Sequence, residues 1–182
     1  MKIEDRILFD KYAFPCLNET DVKRGRITQE LADELTARVS ENMEPSDGLE
    51  ERIFPVAVSM CTFLARKANK KSIDADIIRE YFLLTHNKVV DEQAELVRDV
   101  DPIRCKTYPG MVVKVEGGSA MVETVLGSRS YKTDFEKNVK KGDIVVVHFD
   151  HIVERITERM AEIMGRANGT ELRKRQKDRS IS

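Results

Sequence analysis

Met111-Val112-Val113-Lys114-Val115-Glu116, then Gly117-Gly118, then Ala120-Met121-Val122-Glu123-Thr124-Val125 is the stretch that decides the fold. Two runs rich in β-branched residues flank a two-glycine turn, and that pattern predicts a hairpin. Downstream, Gly127-Ser128 precedes a further strand candidate, Arg129 to Phe135. Lys140-Lys141-Gly142-Asp143 then turns the chain into Ile144 to Phe149, the most β-branched run present. Beyond it Ile152, Val153, Ile156, Met160, Ile163 and Met164 recur at helical spacing up to Gly165, a suitable residue just past a helix end. Four short, strongly turned strands and a terminal helix predict a small OB-like β-barrel rather than an open parallel sheet.

Upstream the period changes. Ile27, Leu31, Ala32, Leu35 and Val39 form one helical stripe, with Thr28 placed to cap it. The turn cluster Glu44-Pro45-Ser46-Asp47-Gly48 ends that helix. Pro55 suits the first turn of a second helix reaching Ala68, on which Val58, Cys61 and Ala65 share a face. Ile73, Ile77, Ile78, Tyr81 and Phe82 mark a third helix, and a short fourth runs from Asp91 to about Val100. Asp101-Pro102 closes it, because the residue before a proline is pushed out of helical geometry. The fold class predicted is α+β, with a helical domain over 1–102, a barrel and helix over 103–165, and a basic disordered tail over 166–182.

Charge follows the same division. Residues 1–102 hold 15 Lys+Arg against 21 Asp+Glu, whereas residues 103–182 hold 16 against 11. The acidic half reads as a module for partner docking or self-association, drawn to a basic surface elsewhere. With 41% hydrophobic and 35% charged residues, the chain is neither collagen-like nor wholly disordered. No apolar run approaches the roughly 18 residues of a membrane span. Glu4, Asp5 and Asp10 stand where a signal peptide would be basic and then apolar. Three cysteines without a Cys-x-x-Cys pair point to reduced thiols in a cytoplasmic protein.

No phosphate-binding glycine loop, nucleophile elbow or His-Glu-x-x-His motif occurs, so an enzyme is not expected. The three histidines are His86, His148 and His151. One frame stands out: Cys105-Lys106-Thr107-Tyr108-Pro109-Gly110, a strand, then Gly142-Asp143-Ile144-Val145-Val146-Val147-His148. It resembles the hydrogenase maturation chaperones of the HypC/HupF family over about residues 103–165. There a cysteine precedes a Pro-Gly, and a Gly-Asp turn feeds a strand ending in Val-His. The resemblance implies transient binding of an iron carrying cyanide and carbon monoxide ligands. It also implies two partners, a HypD-type maturation protein and the large-subunit precursor of a nickel-iron hydrogenase. The metal ligands it implies are Cys105 and His148. A thiolate is a soft, strong donor for low-spin iron, and an imidazole is a borderline one. Where the family continues Val-Gly-Phe-Ala, this chain has Phe149-Asp150-His151-Ile152, adding the Asp150 carboxylate and the His151 imidazole beside the site.

Plainer readings stand beside these. Cys16 and Cys61 read as structural thiols, His151 as a surface residue at a helix start, and Pro109-Gly110 as a turn aiming the chain into the first strand. Two other functions remain open. One is an OB-like binder of single-stranded nucleic acid, using Tyr108, Tyr131, Phe135 and Phe149 with the basic tail; 6% aromatics make it the weaker case. The other is a structural adaptor in which Cys105 is buried and inert.

Overall fold

Asp5 opens the first helix, α1 (Arg6–Ala13), by accepting the Leu8 amide at 3.0 Å on its carboxylate. The structure, a computed structural model, describes residues 1–44, 46, 48–92 and 100–169. From α1 the chain passes through a 3-10 turn at Phe14–Cys16 and a π-helical segment at Asn18–Val22 into α2 (Gln29–Ser40). Thr28 caps α2 as predicted, accepting from Leu31, and Ala32, Leu35 and Val39 are its buried face. A short α3 (Leu49–Ile53) leads to α4 (Pro55–Lys67), which starts at Pro55 and buries Val58, Cys61, Leu64 and Ala65. Asp74 caps α5 (Ala75–Arg79), which continues through a π-helical segment, Glu80–Thr85, into α6 (His86–Glu92). Asp91 and Glu92 lie on α6; of the predicted fourth helix, residues 93–99 lie outside the described residues.

The second half is a closed barrel of five strands, β1 (Thr107–Glu116), β2 (Ser119–Thr124), β3 (Gly127–Lys132), β4 (Ile144–His148) and β5 (His151–Arg155). The order around it is β1-β2-β3-β5-β4, closing back on β1, and β3 meets β5 in parallel at Lys132 and His151. Strand β1 closes the barrel because it is long. Thr107 to Met111 pair with β4, Gly110 to Glu116 pair with β2, and a bulge between Val112 and Lys114 bends the strand just beyond the overlap. The fold is thus α+β with a small OB-like barrel.

Five local expectations are corrected. Ile152 and Val153 belong to β5, a fifth strand, and the last helix, α7 (Glu158–Asn168), begins only after Thr157, whose hydroxyl accepts the Met160 amide. Short apolar runs satisfy both periods, and here pairing with β4 decides for the strand. Consequently His151 is buried on a strand, not exposed at a helix start. Gly165 is buried within α7, and Gly169 takes the left-handed C-cap position at φ 64°. Residues 166–168 are therefore helical; the rest of the predicted tail, 170–182, lies outside the described residues. Pro109-Gly110 is not a turn but part of β1, facing Val146 and Val145 of β4.

Alternation along β4 explains its unbroken apolar run. Val145 and Val147 point into the barrel with Val112, Val122 and Ile152. Val146 points outward, with Val153, Phe135 and Met164, into a cluster that also holds Phe9, Tyr12, Tyr81 and Phe82 of the helical half. One apolar cluster thus spans both halves of the chain. Glu154 of β5 reinforces it, accepting from the Tyr12 hydroxyl at 2.7 Å and from Arg79 at 2.6 Å.

Candidate metal centre

Cys105 and His148, 43 residues apart, meet at one end of the barrel. Strand β4 ends at His148, and its register places that residue opposite Thr107, two residues after Cys105. A third side chain joins them. One ring nitrogen each of His86 and His148, together with the Cys105 Sγ, lie within 4.8 Å of one another, and all three residues are buried. This is the group of potential metal donors present among the described residues.

The helical half brings His86 in. The π-helical segment Glu80–Thr85 ends at His86, which stacks edge-on against Tyr81 and meets the His148 ring at a centroid distance of 5.3 Å. Insertions of this kind re-aim the following side chains by part of a turn and recur at functional sites. The next residue locks the arrangement. Asn87 accepts the Thr107 amide at 2.9 Å on its Oδ1 and donates its Nδ2 to the Thr107 carbonyl at 2.8 Å. The Thr107 hydroxyl in turn donates to the Phe82 carbonyl at 2.7 Å. Helix α6 and the start of β1 are therefore pinned together beside the thiol.

Burial sets the electrostatics. It holds His86 down to about 3, with His148 adding to the effect, and holds His148 down to about 4 against two backbone contacts that favour its charged form. Both imidazoles are neutral at pH 7. His148 has Nδ1 2.8 Å from the Tyr12 carbonyl oxygen and Nε2 2.9 Å from the Cys105 carbonyl oxygen. A neutral imidazole has one N–H, so one of those nitrogens presents a lone pair where no hydrogen bond is possible. That lone pair faces a carbonyl oxygen, which must give way before the nitrogen can bind a metal. Burial also pushes the Cys105 thiol up to about 11, opposed by the Arg24 guanidinium. The resting thiol is protonated, and a metal must displace its proton.

A cavity of about 140 Å³ adjoins the three donors and is also lined by Cys16, Asp21 and Arg24. At roughly 30 Å³ per water this is space for four or five waters, or for a metal ion with small diatomic ligands. Cys16 donates its thiol to the Ala13 carbonyl, and burial, with Cys105 and Asp21 adding, raises it well above the ordinary thiol range.

The remaining residues singled out from the sequence shape the barrel around this end or lie away from it. Pro109 comes just before pairing with β2 begins, so its missing N–H removes no bond on that side. At Gly110 any side chain would collide with Val122 and come within 3.2 Å of the Glu123 carbonyl. Gly142, at φ 94°, and Asp143 form the turn at the opposite end of β4, about 15–20 Å of strand from His148. Asp150 takes Arg104 at 3.0 Å and also binds Arg129. His151 bonds Asp134 at 2.8 Å through Nδ1 and stacks on Phe135. Neither Asp150 nor His151 belongs to the three-donor group.

His86 was not foreseen as a site residue. It lies outside the Cys105 and His148 frame, in the helical half, and its only sequence signal is a histidine one turn beyond Tyr81-Phe82 on an apolar helix face. No protein-family model matches the chain, and no curated protein matches it.

Proposed function

We propose that this protein is a metallocofactor-assembly chaperone that holds an iron centre transiently on Cys105 and His148 and passes it to a partner. The observation that supports this is the convergence of a thiol and an imidazole nitrogen beside a small cavity, at the end of an OB-like barrel where the chain resembles the HypC/HupF chaperones. The iron is cargo, and the reading has it carrying cyanide and carbon monoxide ligands. A HypD-type protein would load it and a nickel-iron hydrogenase large-subunit precursor would receive it. Carriage needs soft, neutral or singly charged donors and an incomplete ligand set, so that the metal can leave. The donor set suits that task; its burial means that loading requires the surrounding helices to move.

The alternatives draw less support. Tyr108, Tyr131, Phe135 and Phe149 are all buried, so none offers a stacking platform to a single strand. An inert adaptor accounts for the burial of Cys105, but it gives no reason for two neutral imidazoles to converge on the thiol. The deciding experiment is anaerobic co-purification from native cells, followed by iron analysis and infrared spectroscopy of the cyanide and carbon monoxide stretching region. Iron with those bands on the wild-type protein, lost in Cys105→Ser, is the expected result. A wild-type protein without iron and without the bands removes the proposal.

A further inference from the structure

His86 opens α6 in the helical half of the chain. Three observations bear on it. Its ring nitrogen lies in the same three-donor group as Cys105 and His148. The side-chain amide of its neighbour Asn87 both donates to and accepts from the Thr107 backbone, so the distance from α6 to the cysteine-bearing segment is held rather than left to drift. Its only side-chain hydrogen-bond contact to a described neighbour is a long one, Nδ1 to the Asn87 Oδ1 at 3.5 Å. The ring is otherwise positioned by Tyr81, Phe82 and His148.

From this geometry we infer that His86, His148 and Cys105 together form a three-ligand site for one divalent transition metal of borderline softness, with the fourth position open towards the cavity. The inference rests on the carrier reading for Cys105 and His148 and adds a ligand from the other half of the chain. Donors around a tetrahedral ion of this class stand about 3.3–3.6 Å apart, so the three groups close in by no more than about 1.5 Å from their resting separations. Rotation of His148 away from one of its two carbonyl contacts supplies part of that movement and frees the unpaired nitrogen. Two nitrogens and one sulfur exclude the hard, oxygen-seeking cations and favour iron(II), cobalt(II) or zinc(II). Because the ligands come from α6, β4 and the segment before β1, a bound metal also ties the helical half to the barrel.

Cobalt(II) reports both ligand type and ligand number, and the full-length reduced protein is titrated with it anaerobically. The wild type should bind one equivalent, with a thiolate-to-cobalt charge-transfer band and intense visible bands of four-coordinate metal. His86→Gln should keep the charge-transfer band, lose visible intensity and weaken affinity at least about 100-fold, the upper end of what an outer-shell partner is worth. Paramagnetic proton spectra of the wild-type cobalt protein need no variant: two strongly shifted imidazole N–H resonances are expected. One such resonance, or unchanged cobalt affinity in His86→Gln, overturns the three-ligand site. It leaves the carrier reading to its own iron and infrared assay. Cobalt binding that survives Cys105→Ser with its spectrum unaltered overturns both.

Discussion

Tyr12 and His148, separated by 136 residues, are joined at 2.8 Å through the Tyr12 carbonyl oxygen and the His148 Nδ1. The same tyrosine donates its hydroxyl to Glu154 on the neighbouring strand. A single residue of α1 therefore touches both the candidate metal centre and the ion pair that holds β5 against the helices.

Glu154→Ala tests how strongly that junction is held. The change strands the Arg79 guanidinium and the buried Tyr12 hydroxyl together, and it should cost about 3 kcal/mol. Tyr12→Phe removes only one neutral donor and should cost about 1 kcal/mol. Urea unfolding of the two single variants and the double variant gives the coupling between them. A Glu154→Ala protein within about 0.5 kcal/mol of wild type would mean the pair is screened and contributes nothing.

Asp10 should make the protein less stable as pH rises. Burial raises its carboxyl to about 8, Glu50 adds to the rise and Arg6 opposes it. Neither carboxylate oxygen has a hydrogen-bond partner among the described residues. The folded pKa lies above the unfolded value of 3.8, so between these values the folded state binds the extra proton. Its stabilising contribution is complete below about pH 4 and lost as pH passes through about 8. Asp10→Asn keeps the shape without the charge and should gain on the order of 2–5 kcal/mol at pH 9, with little change at pH 4. Equal unfolding midpoints for variant and wild type at pH 9 would contradict this.

The thiols should be slow to react while the protein is folded. Burial raises Cys105 to about 11 and Cys61 to about 12. At pH 7.5 the thiolate share at Cys105 is then about a hundredfold below that of an unfolded cysteine. Labelling with an aromatic disulfide should accelerate by at least that factor in denaturant, and each added pH unit should speed the native reaction about tenfold. Native Cys105 reacting at the unfolded rate would show that the helices do not cover it.

Gly110 is required by close approach, not by backbone conformation. A methyl group there meets Val122, Thr124 and the Glu123 carbonyl of β2, a rigid neighbour. Gly110→Ala should therefore cost about 1–3 kcal/mol through overpacking. Gly117, at φ 48° with open space around it, accepts asparagine, which tolerates the left-handed region. Gly117→Asn should change stability by less than about 0.5 kcal/mol. Similar losses at both positions, measured by thermal melting, would refute the distinction.

Local patterns reached far in this chain. The Gly117-Gly118 hairpin, the Thr28 cap, the Pro55 helix start and the β-branched run from Ile144 are each specified by residues within a few positions of one another, and each forms as those residues dictate. The pairing of Cys105 with His148 comes from a family resemblance and not from local pattern; the barrel's closure brings the two residues to one end. Tertiary structure decided the rest. Ile152 and Val153 fit a helix or a strand equally well, and only the partner β4 selects the strand. Val146 faces outward into the helices because a second layer exists to cover it, which no window of sequence contains. His86 comes beside Cys105 and His148 because it follows a π-helical segment and because Asn87 fastens α6 to Thr107, contacts made across twenty residues and through the barrel's closure. Short-range order is written in neighbouring side chains, whereas a site assembled from α6, β4 and the approach to β1 exists only when packing brings them within a few ångströms.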